Sequence, residues 1–346
     1  MNQHNNTVSN KQVYYRLIAL WVICEAFAGG IMHGINLPFS GLVVSSLAVT
    51  CIILLVYYEQ SRAAIIKATV IVAIFKLMLS PHSPPTAYIA VFFQGLLGQL
   101  LSGNRNYFKA GAIILAILAL VESATQRILV LVIVYGNDLW KAINEFIHKL
   151  THEKNLSNYS FIIALSYVLL HAVIGLFVGI YASKLAKRSV SWNADYPSLV
   201  FDKKNIEPEN IFQRNEKKKR LKWIFIISWL ALLSLFIQSY IQPAHSILPN
   251  GIIAGMLLRS ALIILSWYLV VSPLVMLLIK KILHAQQQKN RSDMNEVMLL
   301  VPQTKYIFKQ SLKLSETAKG LARLKLFVKI LLVNVLADDS IEMPAQ

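Results

Sequence analysis

The sequence predicts an all-α polytopic integral membrane protein, with about eight transmembrane helices and further amphipathic helices on the cytoplasmic side. Three observations predict it. Apolar residues fill 56% of the 346 positions and charged residues only 15%, with a mean hydropathy of +0.54; a soluble domain carries about 45–50% and about 25%. The apolar residues gather in runs that match the roughly 20 helical residues a bilayer requires. The basic residues, 34 Lys+Arg against 17 Asp+Glu, fall mostly between those runs. A net charge of +17 in so apolar a chain marks cytoplasmic loops rather than a nucleic-acid surface. A disulfide scaffold is excluded. Cys24 and Cys51 both lie in apolar runs and have no CxxC or metal-ligand neighbour, so they read as small hydrophobes.

Candidate spans run over 13–36, 39–58, 62–79, 86–102, 107–136, 157–184, 222–242 and 251–279. The polar start, MNQHNNTVSNKQVYYR, is not expected to be a cleaved signal peptide. Orientation follows from Lys and Arg in the short connections. Lys11, Arg16, Arg62, Arg105, Lys109, Lys187 and Arg188 fall on one side, whereas the connections at 80–85 and 241–250 hold no Lys or Arg. Both termini are therefore placed in the cytoplasm and the spans in the plasma membrane. The connection 137–156 departs from this pattern, because it carries Lys141, Lys149 and Lys154 on the expected outer side. The segment 107–136 is long and interrupted by Glu122, Ser123, Thr125, Gln126 and Arg127, which suits either one tilted helix or a broken one.

A change of composition divides the chain. Residues 1–184 form a six-span module, 185–220 a basic cytoplasmic linker ending in Lys217-Lys218-Lys219-Arg220, and 221–346 a two-span module with a basic tail. In that tail Lys305, Lys309 and Lys313 recur every four residues, and Leu321, Leu324, Phe327, Val328 and Leu331 recur at helical spacing. Pro302 is expected to start one amphipathic piece and Gly320 to end it. Two readings fit the tail: helices lying on the anionic inner leaflet, or a docking platform for a cytoplasmic partner.

Ionisable groups at membrane depth are costly and each needs an account. Lys67 and Lys76 lie towards the two ends of the third span, where snorkelling to the interfaces accounts for both. Glu25 and Glu122 are central, and Arg127 follows Glu122 as a candidate partner. His33 and His82 fall towards the expected outer ends, and Gln94 adds a polar group to the fourth span. Glu25, His33, His82, Gln94 and Glu122 are therefore the candidate binding residues for a small-molecule substrate. Ala26, Gly30 and Gly34, spaced by four, form a small-residue stripe suited to close helix packing. His148 and His152 sit four apart beside Glu145, but a solvated helix face is the plainer account, and neither a metal nor a cofactor is expected. No HExxH, GxSxG or Walker A sequence occurs, so the chain is read as a non-enzyme.

Two stretches resemble the membrane components of energy-coupling factor (ECF) transporters. Gly255-Met256-Leu257-Leu258-Arg259, Ser272-Pro273, Leu300-Val301-Pro302 and Ala318-Lys319-Gly320 are similar to the transmembrane component, with Lys319 where that family's Ala-Arg-Gly signature has Arg. The six-span module resembles the substrate-binding component in its span number and its small-residue first helix. The resemblance implies a permease component of an ATP-driven importer for a vitamin-like small molecule or metal ion. Ala318, Lys319, Gly320 and Arg323 would then dock separate cytoplasmic ATPase subunits. The residues leave other classes open: an ion-coupled secondary transporter using Glu25 and Glu122, a membrane scaffold that recruits a partner through its tail, or an intramembrane enzyme using Glu25, His33 or His82.

Overall fold

The computed structural model describes residues 2–28, 39–59, 61, 63–80, 83–101, 105–151, 159–201, 220–241 and 252–337. Among them the chain is helical and holds no strand. The long helices are α1 (Asn2–Ile23), α2 (Ser40–Tyr58), α3 (Ala64–Leu79), α4 (Pro85–Leu101), α5 (Phe108–Tyr135), α6 (Asn137–Thr151) and α7 (Tyr159–Arg188). The second part holds α8 (Arg220–Ile241), α9 (Ile252–Ser266), α10 (Ser272–Lys289), α11 (Arg291–Leu314) and α12 (Gly320–Leu336). A π-helical turn, Cys24–Ala28, continues α1, and another, Trp267–Val271, joins α9 to α10.

Among the described residues four helices are long and apolar enough to cross a membrane: Ser40–Tyr58, Phe108–Tyr135, Tyr159–Arg188 and Leu258–Lys289. Pro85–Leu101 and Phe225–Ser234 are apolar but shorter. The radial distribution of side chains fits a membrane protein. Leu129, Ile133, Phe161, Phe177, Leu277 and Leu278 are exposed, while Arg16, Glu25, Lys76, Gln94, His171 and Asn334 are buried. In water so many exposed large apolar side chains would drive association; in lipid they are at home.

Helix α1 is the axis of the fold. Every residue from Val13 to Ala26 is buried, which fits a stretch that is apolar on most of its surface and carries only Arg16 and Glu25 as charges. It packs against α2 and α3 of the first part and against α11 and α12 of the last. The two parts are thus joined along one central helix. The first residues of the linker join them as well: Phe201 N donates to Asn334 Oδ1 (2.7 Å), Asn334 Nδ2 donates to Leu199 O (2.8 Å), and the Lys329 ammonium stands 3.9 Å from the Tyr196 ring centre.

Close packing between α5 and α7 depends on small residues. A Cβ on Gly175 would lie 2.8 Å from Ala116 O, and one on Gly179 would lie 2.6 Å from Ile113 Cα. Ala112 and Ala116 of α5 face these glycines across the seam, both buried. Of the small-residue stripe that the sequence suggests in the first span, Ala26 is buried, while Gly30 and Gly34 fall outside the described residues.

Segment 107–136 is one helix across its polar interruption. It stops at Gly136, whose N–H bonds Val132 O (2.8 Å) at φ +66°, a backbone that glycine adopts at little cost. Two tail boundaries differ from expectation. Pro302 lies inside α11 rather than at its start. Gly320, at φ +57°, opens α12 rather than closing a helix.

Candidate functional site

Polar side chains gather in three places along the central helix. The deepest is in the π-helical turn. Glu25 Oε2 meets Lys76 Nζ at 2.5 Å, with both side chains at most 5% exposed. A π turn re-aims side chains within a helix and recurs at functional positions; here it sets a carboxylate facing the last turn of α3. Ser80 Oγ, just past that turn, donates to Ala26 O (3.1 Å), and Cys24 and Cys51 are buried free thiols. Lys76 therefore does not snorkel to an interface. Both charges are held by each other, because an unpaired charge removed from water is costly.

The remaining candidate binding residues are dispersed. Gln94 Nε2 donates to Ser45 Oγ (3.2 Å) on α2, which leaves its Oε1 buried without a hydrogen-bond partner. Glu122 Oε2, Tyr88 Oη and Trp21 Nε1 are likewise buried without one. These atoms belong to α1, α4 and α5, all of which pack on α2. Buried polar atoms are nearly always satisfied, so each exception marks a place where water or a polar ligand would bind. No ion pair joins Glu122 to Arg127 among the contacts of the described residues. His33 and His82 fall outside the described residues, as does His152. Among the described residues no group of three or more His, Cys, Asp or Glu side chains could hold a metal ion.

At the opposite end of α3 a cleft of about 1260 Å³ opens between the two parts of the chain, lined by residues that include Lys11, Tyr14, Tyr58, Lys67, Lys289 and Asp293. Asp293, in the first turn of α11, bridges its walls: it accepts from the Tyr15 hydroxyl of α1 and meets Lys67 Nζ of α3 at 2.7 Å. Burial works to raise the Asp293 carboxyl, but the Lys67 ammonium and the Tyr15 hydroxyl outweigh it and hold the group below the ordinary aspartate range. Tyr14 donates to Ala64 O (2.8 Å) nearby. The start of α3 has no side-chain cap of its own; Gln99 Oε1 from α4 accepts from Ile65 N and Ile66 N instead.

The third place is the hairpin of α11 and α12. Its base is locked into the core: Arg16 donates to Ala337 O at the end of α12, Asn334 is fully buried, and Phe308 and Phe327 meet edge to face at 5.3 Å. Its tip is open. Leu312, Leu314, Leu321 and Leu324 are exposed, next to exposed Lys313, Lys319 and Lys325. Lys319 has extended backbone as the N-cap of α12, so Ala318, Lys319 and Gly320 form the turn between the helices and its first residue rather than the interior of one helix. Arg323 reaches back to Glu316 (3.2 Å), both exposed.

No protein-family model, no curated protein and no solved structure matches this chain. Lys76 and Asp293 are the site residues that sequence reasoning missed. Lys76 carried a signal: it and Glu25 are opposite charges in separate apolar runs, and each needed a partner. Asp293 carried little, since its partners lie more than two hundred positions away.

Proposed function

We propose that this chain is the membrane permease component of an ATP-driven importer of the energy-coupling factor type, taking a vitamin-like small molecule or metal ion. In this reading α1 to α5 and α7 are six spans, and α8 and the continuous α9–α10 are two more. The protein lies in the plasma membrane with both termini in the cytoplasm. Substrate binds near Glu25, Gln94 and Glu122, within the depth of the spans. Separate ATPase subunits dock on the tip of the α11–α12 hairpin.

The reading rests on one observation. The hairpin is rigidly seated at its base, against the same helix that carries Glu25, while its tip exposes four leucines. A lever of this form would convert movement of a docked partner into a change of population between two states of α1. Purification in mild detergent tests it. P-loop ATPase subunits should accompany the wild-type chain and be lost in Lys319→Glu and in Leu321→Asp, with both variants still in the membrane. A chain that comes out alone would overturn the proposal.

A second reading, an ion-coupled secondary transporter, is favoured by the buried Glu25–Lys76 pair. Uptake that proceeds without ATP and is abolished by Glu25→Gln would support it over the first.

A further inference from the structure

Helix α6 is read from its sequence as a solvated face, yet its surroundings fit a different medium. On a helical wheel Leu139, Trp140, Ile143, Phe146, Ile147 and Leu150 fall together, and Lys141, Asn144, Glu145, His148 and Lys149 fall opposite them. A soluble protein turns the apolar side of such a helix onto its core. Here the flank against the bundle straddles the two sides. Asn144 Oδ1 accepts from Ser160 N (2.8 Å), and the His148 ring packs on Tyr159 at the start of α7, beside half-buried Trp140 and Ile147. The open side is also divided. Phe146 and Leu150, 64% and 65% exposed, form one half; Lys141, Glu145 and Lys149 form the other.

A helix with one flank on protein, an open apolar edge and an open charged edge is suited to the boundary between hydrocarbon and water. The neighbouring helices place it there. Gly136 ties α6 directly to the end of α5, where Leu129, Val130, Leu131 and Ile133 are exposed. The start of α7 exposes Phe161, Ile162 and Ile163. The open edge of α6 is therefore continuous with the apolar belt of two helices long enough to cross a membrane.

We infer that α6 is an in-plane membrane helix, with Phe146 and Leu150 in the acyl region of a lipid bilayer and Lys141 and Glu145 at the headgroups. Trp140, an amphipathic ring at the edge of the apolar side, suits the same boundary. The inference stands whether or not an ATPase docks at the hairpin.

Single cysteines at 141, 145, 146 and 150, in a Cys24→Ala/Cys51→Ala chain, would be spin-labelled in phosphatidylcholine–phosphatidylglycerol vesicles. Labels at 146 and 150 should favour collision with oxygen over a water-soluble nickel chelate, at a depth of about 5–10 Å. Labels at 141 and 145 should show the reverse. Nickel access at all four positions would overturn the inference in favour of a solvated helix. Protection of 146 and 150 from both reagents, or a disulfide-linked dimer through them, would overturn it in favour of a protein partner or a second copy. A measurement without cysteine replacement covers a chain that fails to fold: the fluorescence lost in Trp140→Phe should be quenched by brominated lipid. Quenching by aqueous acrylamide alone would refute the placement.

Discussion

Helix α3 carries two lysines nine positions apart, and each meets a carboxylate. Lys76 and Glu25 are sealed, with side chains 5% and 3% exposed. Lys67 and Asp293 border a cleft, at 42% and 15%. The chemistry is the same and the surroundings are not. Away from water each charge depends on its partner, since neither can be solvated alone. At the cleft Lys67 keeps water, and its pair works as a latch that ties α11 to α1 and α3. Position along one helix therefore separates an obligatory pair from an adjustable one.

The largest expected effect is at the sealed pair. Lys76→Ala leaves Glu25 buried and alone, and should destabilise the protein by about 3–5 kcal/mol, read as a loss of thermal stability in detergent. The double variant Lys76→Met/Glu25→Leu, which removes both charges, should recover most of the loss. A single variant no worse than Lys67→Ala would mean that water reaches Glu25, and the contrast between the pairs would fail.

Asp293→Asn should cost less, about 1 kcal/mol, because a charge-assisted contact is weakened while Lys67 stays hydrated. The same carboxylate predicts a pH dependence. Its folded pKa lies below the unfolded value, so its stabilisation is complete above roughly pH 4 and is lost as pH falls through the folded pKa. Acid titration of wild type against Asp293→Asn checks the sign: the wild type should lose its advantage only at low pH.

The smallest effect belongs to the exposed Arg323–Glu316 pair. Arg323→Ala should change stability by about 0–1 kcal/mol, so any loss of a copurifying ATPase in that variant would report docking rather than unfolding.

Much of the fold is legible in the sequence. Apolar runs of span length anticipate α2, α5, α7 and the continuous α9–α10, because side-chain hydrophobicity and helix length are local properties. The amphipathic tail is legible as helices by its spacing, but not its boundaries. Pro302 is carried inside α11 although it removes a backbone bond and its ring crowds the preceding turn, a cost that the packing of the surrounding helix can offset. The α5–α7 seam at Gly175 and Gly179 is not legible, because small residues on one helix do not name their partner. Of the candidate site, Glu25, Gln94 and Glu122 are recognisable as polar groups in apolar runs, whereas their surroundings are not.

The sequence alone determined that this chain is helical, apolar enough for a membrane, and tipped by basic amphipathic helices, because these follow from composition and periodicity. The tertiary structure decided which charges meet. It placed Lys76 on Glu25 rather than at an interface, and it brought Asp293 from the far end of the chain onto Tyr15 and Lys67. The physical reason is that a charge in low dielectric selects its partner by distance in space, to which separation along the chain is no guide.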